Sequence, residues 1–310
     1  MAIVGLGLIG GSIGLALKKY RPEIEVLGIA RRQETVGQAL EVGAADRASI
    51  DIGLVAEADM VVLACPLAAT ASMLERCAPL LAAGARVTDV GSVKREVAEH
   101  AERVLGVSGR RRAGNDFLGG HPMAGKEVSG IEHAEADLFR GRPWVFTPRS
   151  GWFAAVAQGL EAERAGSPGG YEPEGWQDLL QLVRDLGALP VLMPPDRHDA
   201  CVALVSHVPF LLSAAFLKTV GEDAAWSEAS RLASSGFRDF SRLGAGDPGM
   251  YAAIAAMNRD EVLRVFANLR LAIDEFEAAI ARGQDADLRG MLERSKATRD
   301  DWTAAQPAPA

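Results

Sequence analysis

Gly5-Leu6-Gly7-Leu8-Ile9-Gly10-Gly11-Ser12 decides the fold of this chain. A short apolar run, residues 1–4, precedes it, and a helical pattern through Leu15, Leu17 and Lys19 follows. A G-x-G-x-x-G between a strand and a helix has a mechanism. Gly5 makes the tight turn, Gly7 lets a pyrophosphate reach the backbone, and Gly10 lets the helix pack on the strand, with the phosphate at the helix N-terminus. Glycines alone would mark only a turn. The strand before and the helix after them make a dinucleotide fingerprint.

The second strand, residues 25–29, runs into Ala30-Arg31-Arg32. A site for NAD places Asp or Glu here to bond the ribose 2′-hydroxyl. This chain has no carboxylate there. A guanidinium can bind a 2′-phosphate bidentately, so the sequence predicts NADP, with Arg31 the main contact and Arg32 a second. Two surface arginines opening a helix are the plainer alternative. Residues 33–42 then read as a helix stopped by Gly43, 59–64 as a buried strand closed by Pro66, 67–81 as a helix and 86–90 as a strand. Further on, 144–147 and 190–193 read as strands and 176–186 as a helix, with an exposed insertion over 150–175. Strands alternating with helices predict an α/β Rossmann-type doubly wound parallel sheet, with ligands at the C-terminal strand ends.

Two residues stand at such ends. Ser92, in Gly91-Ser92-Val93-Lys94, either caps the next helix or turns its hydroxyl to the cofactor crevice. His121 lies in Gly119-Gly120-His121-Pro122-Met123-Ala124-Gly125. Its glycines and proline predict a short, stiff turn, and histidine is the side chain most easily tuned to accept a proton near neutral pH. By itself the stretch suits a buried turn histidine.

From Asp196 onward the strand pattern ends. Pro194-Pro195 is the punctuation, so the expected domains are residues 1–194, an all-helical 195–303 and a frayed tail 304–310. The first long helix carries Ser206-His207-Val208-Pro209. Pro209 cannot donate to the carbonyl of Val205, so the helix bends there. A bend beside a histidine marks either a ligand site or a satisfied core histidine. Arg238 and Arg242 share a face at i and i+4 if their segment is helical. Such a pair suits a ligand with more than one carboxylate, or pairs with Asp239 or Asp247. Val262, Phe266, Leu269, Ile273, Phe276 and Ile280 form an a/d stripe that wants a helical partner, within the domain or across a homodimer.

Composition sets outer limits. With 48% hydrophobic and 24% charged residues the chain is ordinary globular material, and a net charge of −8 argues against nucleic acid. Cys65, Cys77 and Cys201 form no C-x-x-C pair and read as small core hydrophobes in a reducing compartment. No metal-ligand spacing is present. The apolar run 202–217 is broken by Ser206, His207, Pro209 and Ser213, which suits a core helix and not a membrane span. No signal-peptide pattern is present, so the cytoplasm is expected.

Taken in order, GLGLIGGS, the DVGSVK at 89–94, the GGHPMAGKEVSGI around His121, the SHVPF at 206–210 and the SSGFRDFSR at 234–242 resemble the prephenate/arogenate dehydrogenase family of tyrosine biosynthesis. The resemblance covers residues 1–302. It implies a Rossmann domain followed by an all-α domain that dimerises and binds substrate, and an NAD(P)-dependent oxidative decarboxylation of a cyclohexadienyl acid. It implies His121 as the base at the ring hydroxyl and Ser92 as a contact to that hydroxyl and to the nicotinamide. Ser206 and His207 match the family's helix-bend site, and Arg238 its carboxylate-binding arginine, with Arg242 assisting. The cofactor contacts it implies are Gly5, Gly7, Leu8, Ile9, Gly10, Ala30, Arg31, Arg32, Cys65, Pro66 and Ser92.

One position departs from many prephenate-using members, which carry a second histidine three residues after the first. Here it is Phe210. Members that use arogenate, often with NADP, lack that histidine as well. With Ala30-Arg31, this points to an NADP-dependent arogenate dehydrogenase. Prephenate, or both acids, is the alternative substrate, and NAD the alternative cofactor. No regulatory domain is expected after the helical one, so tyrosine inhibition, if present, acts at the active site. The rivals are a β-hydroxyacid dehydrogenase of the same plan and a catalytically silent NADP-binding regulator. The joint presence of Ser92, His121, His207 and Arg238 speaks against the silent form.

Overall fold

The computed structural model describes residues 1–106, 116–126, 128–148 and 176–305. The insertion expected at 150–175 and the end of the tail lie outside the described residues, as does the basic run Arg110-Arg111-Arg112, which reads from sequence as a solvated loop. Internal contacts divide the chain into Met1–Arg259 and Asp260–Ala310.

The first unit opens with β1 (Ala2–Val4), α1 (Leu8–Tyr20), β2 (Leu27–Ile29), α2 (Gln33–Glu41) and β3 (Arg47–Ser49). A 3₁₀ turn leads to β4 (Met60–Leu63), α3 (Leu67–Cys77), β5 (Arg86–Asp89) and α4 (Arg95–Gly106). Then follow β6 (Asp116–Pro122), β7 (Pro143–Thr147), α5 (Gln177–Asp185) and β8 (Leu189–Leu192). One sheet of eight strands results, in the order β3-β2-β1-β4-β5-β6-β7-β8. Strand order reverses at β1/β4, the crevice where this fold takes its ligands.

The strands are short, and most are buried on both faces. Val61 and Leu63 of β4 pack with α3 and α4 residues such as Leu74 and Val97. Met60 and Val62 pack on the other face with Leu17 of α1 and Leu180 of α5. This two-sided burial is what a near-continuous apolar strand encodes. The sequence does not mark β3: Arg47-Ala48-Ser49 has no β-branched or aromatic residue, and its pairing with β2 makes it a strand.

Two expectations are corrected here. The sheet is not parallel throughout: β7 runs antiparallel to β6, and β8 follows β7 in parallel. An antiparallel return needs no crossover helix, and among the described residues only a 3₁₀ turn, Ile131–His133, stands between β6 and β7. Helix α3 ends at Cys77 and not at residue 81, because Pro79 has no N–H with which to continue the helical ladder.

Beyond β8 the first unit is helical. Helix α6 (Pro195–Val202) passes through a π-helical turn, Ala203–His207, into α7 (Val208–Glu222). By length and composition, Pro195–Glu222 is the one helix among the described residues apolar enough to cross a membrane. Its buried His198, Asp199 and His207, described below, give it the polar contacts of a core helix. Helices α8 (Trp226–Ala229), α9 (Ser235–Ser241) and α10 (Pro248–Met257) complete the unit. Asp247 accepts a hydrogen bond from Met250 N at 2.6 Å, capping α10.

The second unit carries the rest of α11 (Arg259–Ala281) and α12 (Asp285–Ala304), turning at Gly283 with φ +63°. Along α11 Val262 is buried, whereas Ile273 is 50% and Ile280 64% exposed. The a/d stripe therefore keeps apolar surface uncovered within the chain.

Candidate active site

The glycine loop has the geometry its spacing predicts. Gly5 has φ +107°, and a Cβ there would stand 2.5 Å from the carbonyl oxygen of Ala64. A Cβ on Gly10 would fall 1.9 Å from the carbonyl oxygen of Gly5. Gly7 differs, because a Cβ would meet nothing within 4 Å. Gly7 is also the N-cap of α1 and offers no side-chain cap. The helix N-terminus at Gly7 thus faces open space, which fits a pyrophosphate. Leu8 is buried behind the loop and Ile9 half-buried.

The other expected cofactor contacts surround this point. Ala30 is buried just after β2, while Arg31 and Arg32 are exposed. Arg32 is the N-cap of α2, so the pair does open a helix, with both guanidiniums at the strand end. Cys65 and Pro66 follow β4. Pro66 is the exposed N-cap of α3. Cys65 and Cys201 are half-buried and only Cys77 is fully buried, which corrects the picture of three core cysteines. Burial raises the Cys65 thiol pKa.

Ser92 is half-buried and lies three residues ahead of α4. It does not cap that helix. The carboxylate of Asp199, from α6, does so: Oδ1 accepts from Lys94 N at 2.8 Å and Oδ2 from Arg95 N at 2.9 Å.

His121 sits inside β6, paired opposite Val145 of β7, and not on a free turn. It is half-buried. Its Nδ1 lies 2.8 Å from Nε2 of His198, and Nδ1 of His198 lies 2.7 Å from Oδ1 of Asp199. The two rings meet edge-on, with centroids 5.1 Å apart and planes at 67°. Desolvation lowers the His121 pKa well below its ordinary value, and the charges of His198, Lys94 and His207 act in the same direction.

Beneath this row lies a buried ion pair. Lys94 and Asp89 are both fully buried. Nζ of Lys94 donates to Asp89 Oδ2 at 2.5 Å and to Gly120 O at 2.6 Å. Asp89 also accepts from Gly91 N at 2.9 Å and Gly120 N at 3.0 Å. The end of β5 is thereby fixed to the residue before His121.

His207, on the π turn, is 1% exposed. Asn258 Nδ2 donates to Asp199 O at 2.8 Å and reaches His207 Nδ1 at 3.1 Å. An amide nitrogen can only donate, so His207 accepts on Nδ1 and carries its proton on Nε2. That Nε2 is buried without a partner, and so is Asn258 Oδ1. A buried donor left over in this way calls for a partner, whether a water or a ligand atom. Desolvation pushes the His207 imidazole down to about 4. Below pH 6.5 the unfolded chain takes up this proton and the folded chain does not until about pH 4. Stability therefore falls as pH drops through that window, by about 3 kcal/mol for this residue. His207→Gln should flatten the slope of unfolding free energy between pH 6.5 and 4 in urea titrations; an unchanged slope would contradict it.

Phe210 is buried and stacks on Tyr251, centroids 3.3 Å apart. Ser206 is half-buried on the π turn. Arg238, on α9, and Arg242, which begins the next 3₁₀ turn, are both exposed. The structure thus joins His121 and His207 into one buried network through residues the sequence did not single out: His198, Asp199 and Asn258. The signal for two of them was a His-Asp pair on the same helix as Ser206-His207.

Comparison with known proteins agrees with this geometry. The family described as "Prephenate dehydrogenase, nucleotide-binding domain" matches residues 13–166, and "Prephenate dehydrogenase, dimerization domain" matches residues 194–294. The prephenate dehydrogenase of Bacillus subtilis is 31% identical over 96% of this chain and 74% of its own length. The crystal structure of Synechocystis arogenate dehydrogenase superposes with a TM-score of 0.78 at 32% identity, covering 97% of this chain and 99% of that one. The prephenate dehydrogenase of A. aeolicus, solved with hydroxyphenyl propionate and NAD+, gives a TM-score of 0.82 at 25% identity, covering 97% and 96%. With its dinucleotide loop, its eight-stranded sheet and its histidine network, the chain belongs to the prephenate/arogenate dehydrogenase family of NAD(P)-dependent oxidoreductases.

Proposed function

We propose that this enzyme catalyses the NADP-dependent oxidative decarboxylation of arogenate to tyrosine. The observation that carries the reading is His121, an imidazole of depressed pKa on strand β6 of the dinucleotide-binding sheet, linked to His198 and Asp199. It is unprotonated at neutral pH and free to accept. With its pyrophosphate held at the Gly5–Gly10 loop, a bound nicotinamide cofactor would supply the acceptor for the hydride of the ring carbon that bears the hydroxyl. His121 takes the hydroxyl proton as that carbon becomes carbonyl-like. The hydroxyl is most acidic at that moment, so a base of low pKa suffices. The ring carboxylate leaves as carbon dioxide and the ring becomes aromatic. Ser92 contacts the same hydroxyl and the cofactor. His207 offers its buried N–H, beside Ser206, and Arg238 with Arg242 meets a carboxylate.

Two features favour this substrate and this cofactor. Phe210, buried against Tyr251, puts an apolar ring where many prephenate-using relatives carry histidine. Arg31 and Arg32 stand exposed after β2, where an NAD site would place Asp or Glu. The name of the B. subtilis relative favours a second reading, turnover of prephenate or of both acids. Steady-state kinetics with arogenate and prephenate, each with NADP and NAD, decide. We expect the highest kcat/KM for arogenate with NADP, and a roughly 10–100-fold loss of NADP affinity in Arg31→Ala with NAD affinity unchanged, the worth of one charge-assisted contact. Equal affinity for both cofactors in the wild type would remove NADP. Failure to turn over either acid would reject the reaction.

The same proposal takes residues 1–194 as the cofactor domain and 195–303 as the helical substrate domain, since strand β8 ends just before Pro194-Pro195. It pairs two copies through the uncovered stripe of α11 and places the enzyme in the cytoplasm. Tyrosine, the product, inhibits at the active site if it inhibits at all.

A further inference from the structure

The row from Asp199 through His198 to His121 has a direction. Asp199 accepts two backbone N–H groups at the N-terminus of α4, where the helix dipole favours negative charge. Both of its oxygens are thereby set as acceptors. The proton in the 2.7 Å contact to His198 must then reside on His198 Nδ1. His198 is fully buried, which disfavours a second, charging proton and lowers its pKa, so its Nε2 is a lone pair at neutral pH. That lone pair faces His121 Nδ1 at 2.8 Å, and the contact needs a proton from His121. A neutral imidazole has only one.

We propose that His198 and Asp199 are positioning residues that lock His121 in its Nδ1–H tautomer, so that its Nε2 is always the free, proton-accepting atom. The inference rests on His121 being the base of the proposed reaction. It adds a polarity to that base which no sequence motif records. Without the row, the imidazole would divide its proton between both nitrogens and its ring could rotate within β6. The carboxylate that orients the row also holds the backbone at Lys94 and Arg95, two and three residues past Ser92. One anion therefore aligns both sides of the site, the loop after β5 and the base on β6.

The test uses the full chain saturated with NADP and labelled with ¹⁵N-histidine. Imidazole ¹⁵N spectra of the wild type should show His121 protonated at Nδ1 and bare at Nε2. In His198→Ala the His121 signals should become those of a tautomer mixture, and kcat with the preferred acid should fall about 10²-fold with KM within about twofold, the order expected when a base loses its orienting partner. His198→Gln carries a side-chain oxygen that can accept the same N–H. It should regain about tenfold of kcat and restore the single tautomer, and it guards against a folding defect caused by the smaller residue. A wild-type His121 protonated at Nε2 would overturn the proposal. So would a His198→Ala enzyme with unchanged tautomer and kcat within about threefold. A chain that turns over neither acid would remove the proposed reaction, and the spectra would still decide the row.

Discussion

His121→Asn should lower kcat by about 10²–10⁴-fold and leave cofactor affinity unchanged, the usual worth of a positioned base. The fold has no reason to suffer. Position 121 is one rung of the β6–β7 ladder, opposite Val145, and asparagine keeps the backbone pairing. Its amide nitrogen can still donate to His198 Nε2, so no buried acceptor is orphaned. What asparagine cannot do is accept a proton near neutral pH. The loss should therefore fall on kcat, while the titration of NADP against the glycine loop, set by Gly5, Gly7 and Gly10, is unmoved. An unaltered rate would take His121 out of the mechanism. A matched loss of cofactor affinity would mean that the substitution had disturbed β6.

Asp89→Asn should destabilise the protein by about 3–5 kcal/mol, the cost of removing one partner of a buried ion pair. Asp89 gathers Lys94 Nζ, Gly91 N and Gly120 N on its two oxygens. An amide offers one acceptor oxygen and turns an NH₂ toward the remaining donors. Lys94, fully buried, would then have to lose its proton or pull water inward. Urea unfolding should show a lower midpoint with an unchanged m value. Adding Lys94→Met to Asp89→Asn should restore part of the loss, because it removes the stranded charge. A single-variant loss under about 1 kcal/mol would show that the pair is solvated in solution.

The sequence displayed most of the fold because its signals were local. Gly5, Gly7 and Gly10 act within one turn, and apolar strands closed by Pro66 or Gly91 declare themselves. It also displayed the residues whose chemistry is carried by type, His121 and His207. It did not display partners that meet across the fold. Asp199 caps a helix about a hundred residues away, and no spacing rule connects it to Lys94 and Arg95. Ser92 illustrates the same limit: helix cap and cofactor contact read alike in the sequence, and the capping role belongs to the distant carboxylate of Asp199. The reversal of β7 was hidden for a similar reason, since strand direction depends on where the connecting chain runs and not on which residues it contains.

The π turn at Ala203–His207 sets a phase. Asp199 and His207 are eight residues apart. In an uninterrupted α-helix of about 3.6 residues per turn, they would point roughly 80° away from each other. One extra residue wound into the turn makes the separation equivalent to seven steps, which leaves them about 20° apart. Asn258 can then hold both, at Asp199 O and His207 Nδ1. The segment works as a vernier. Shortening it by one residue would yield a better helix and a misaligned site.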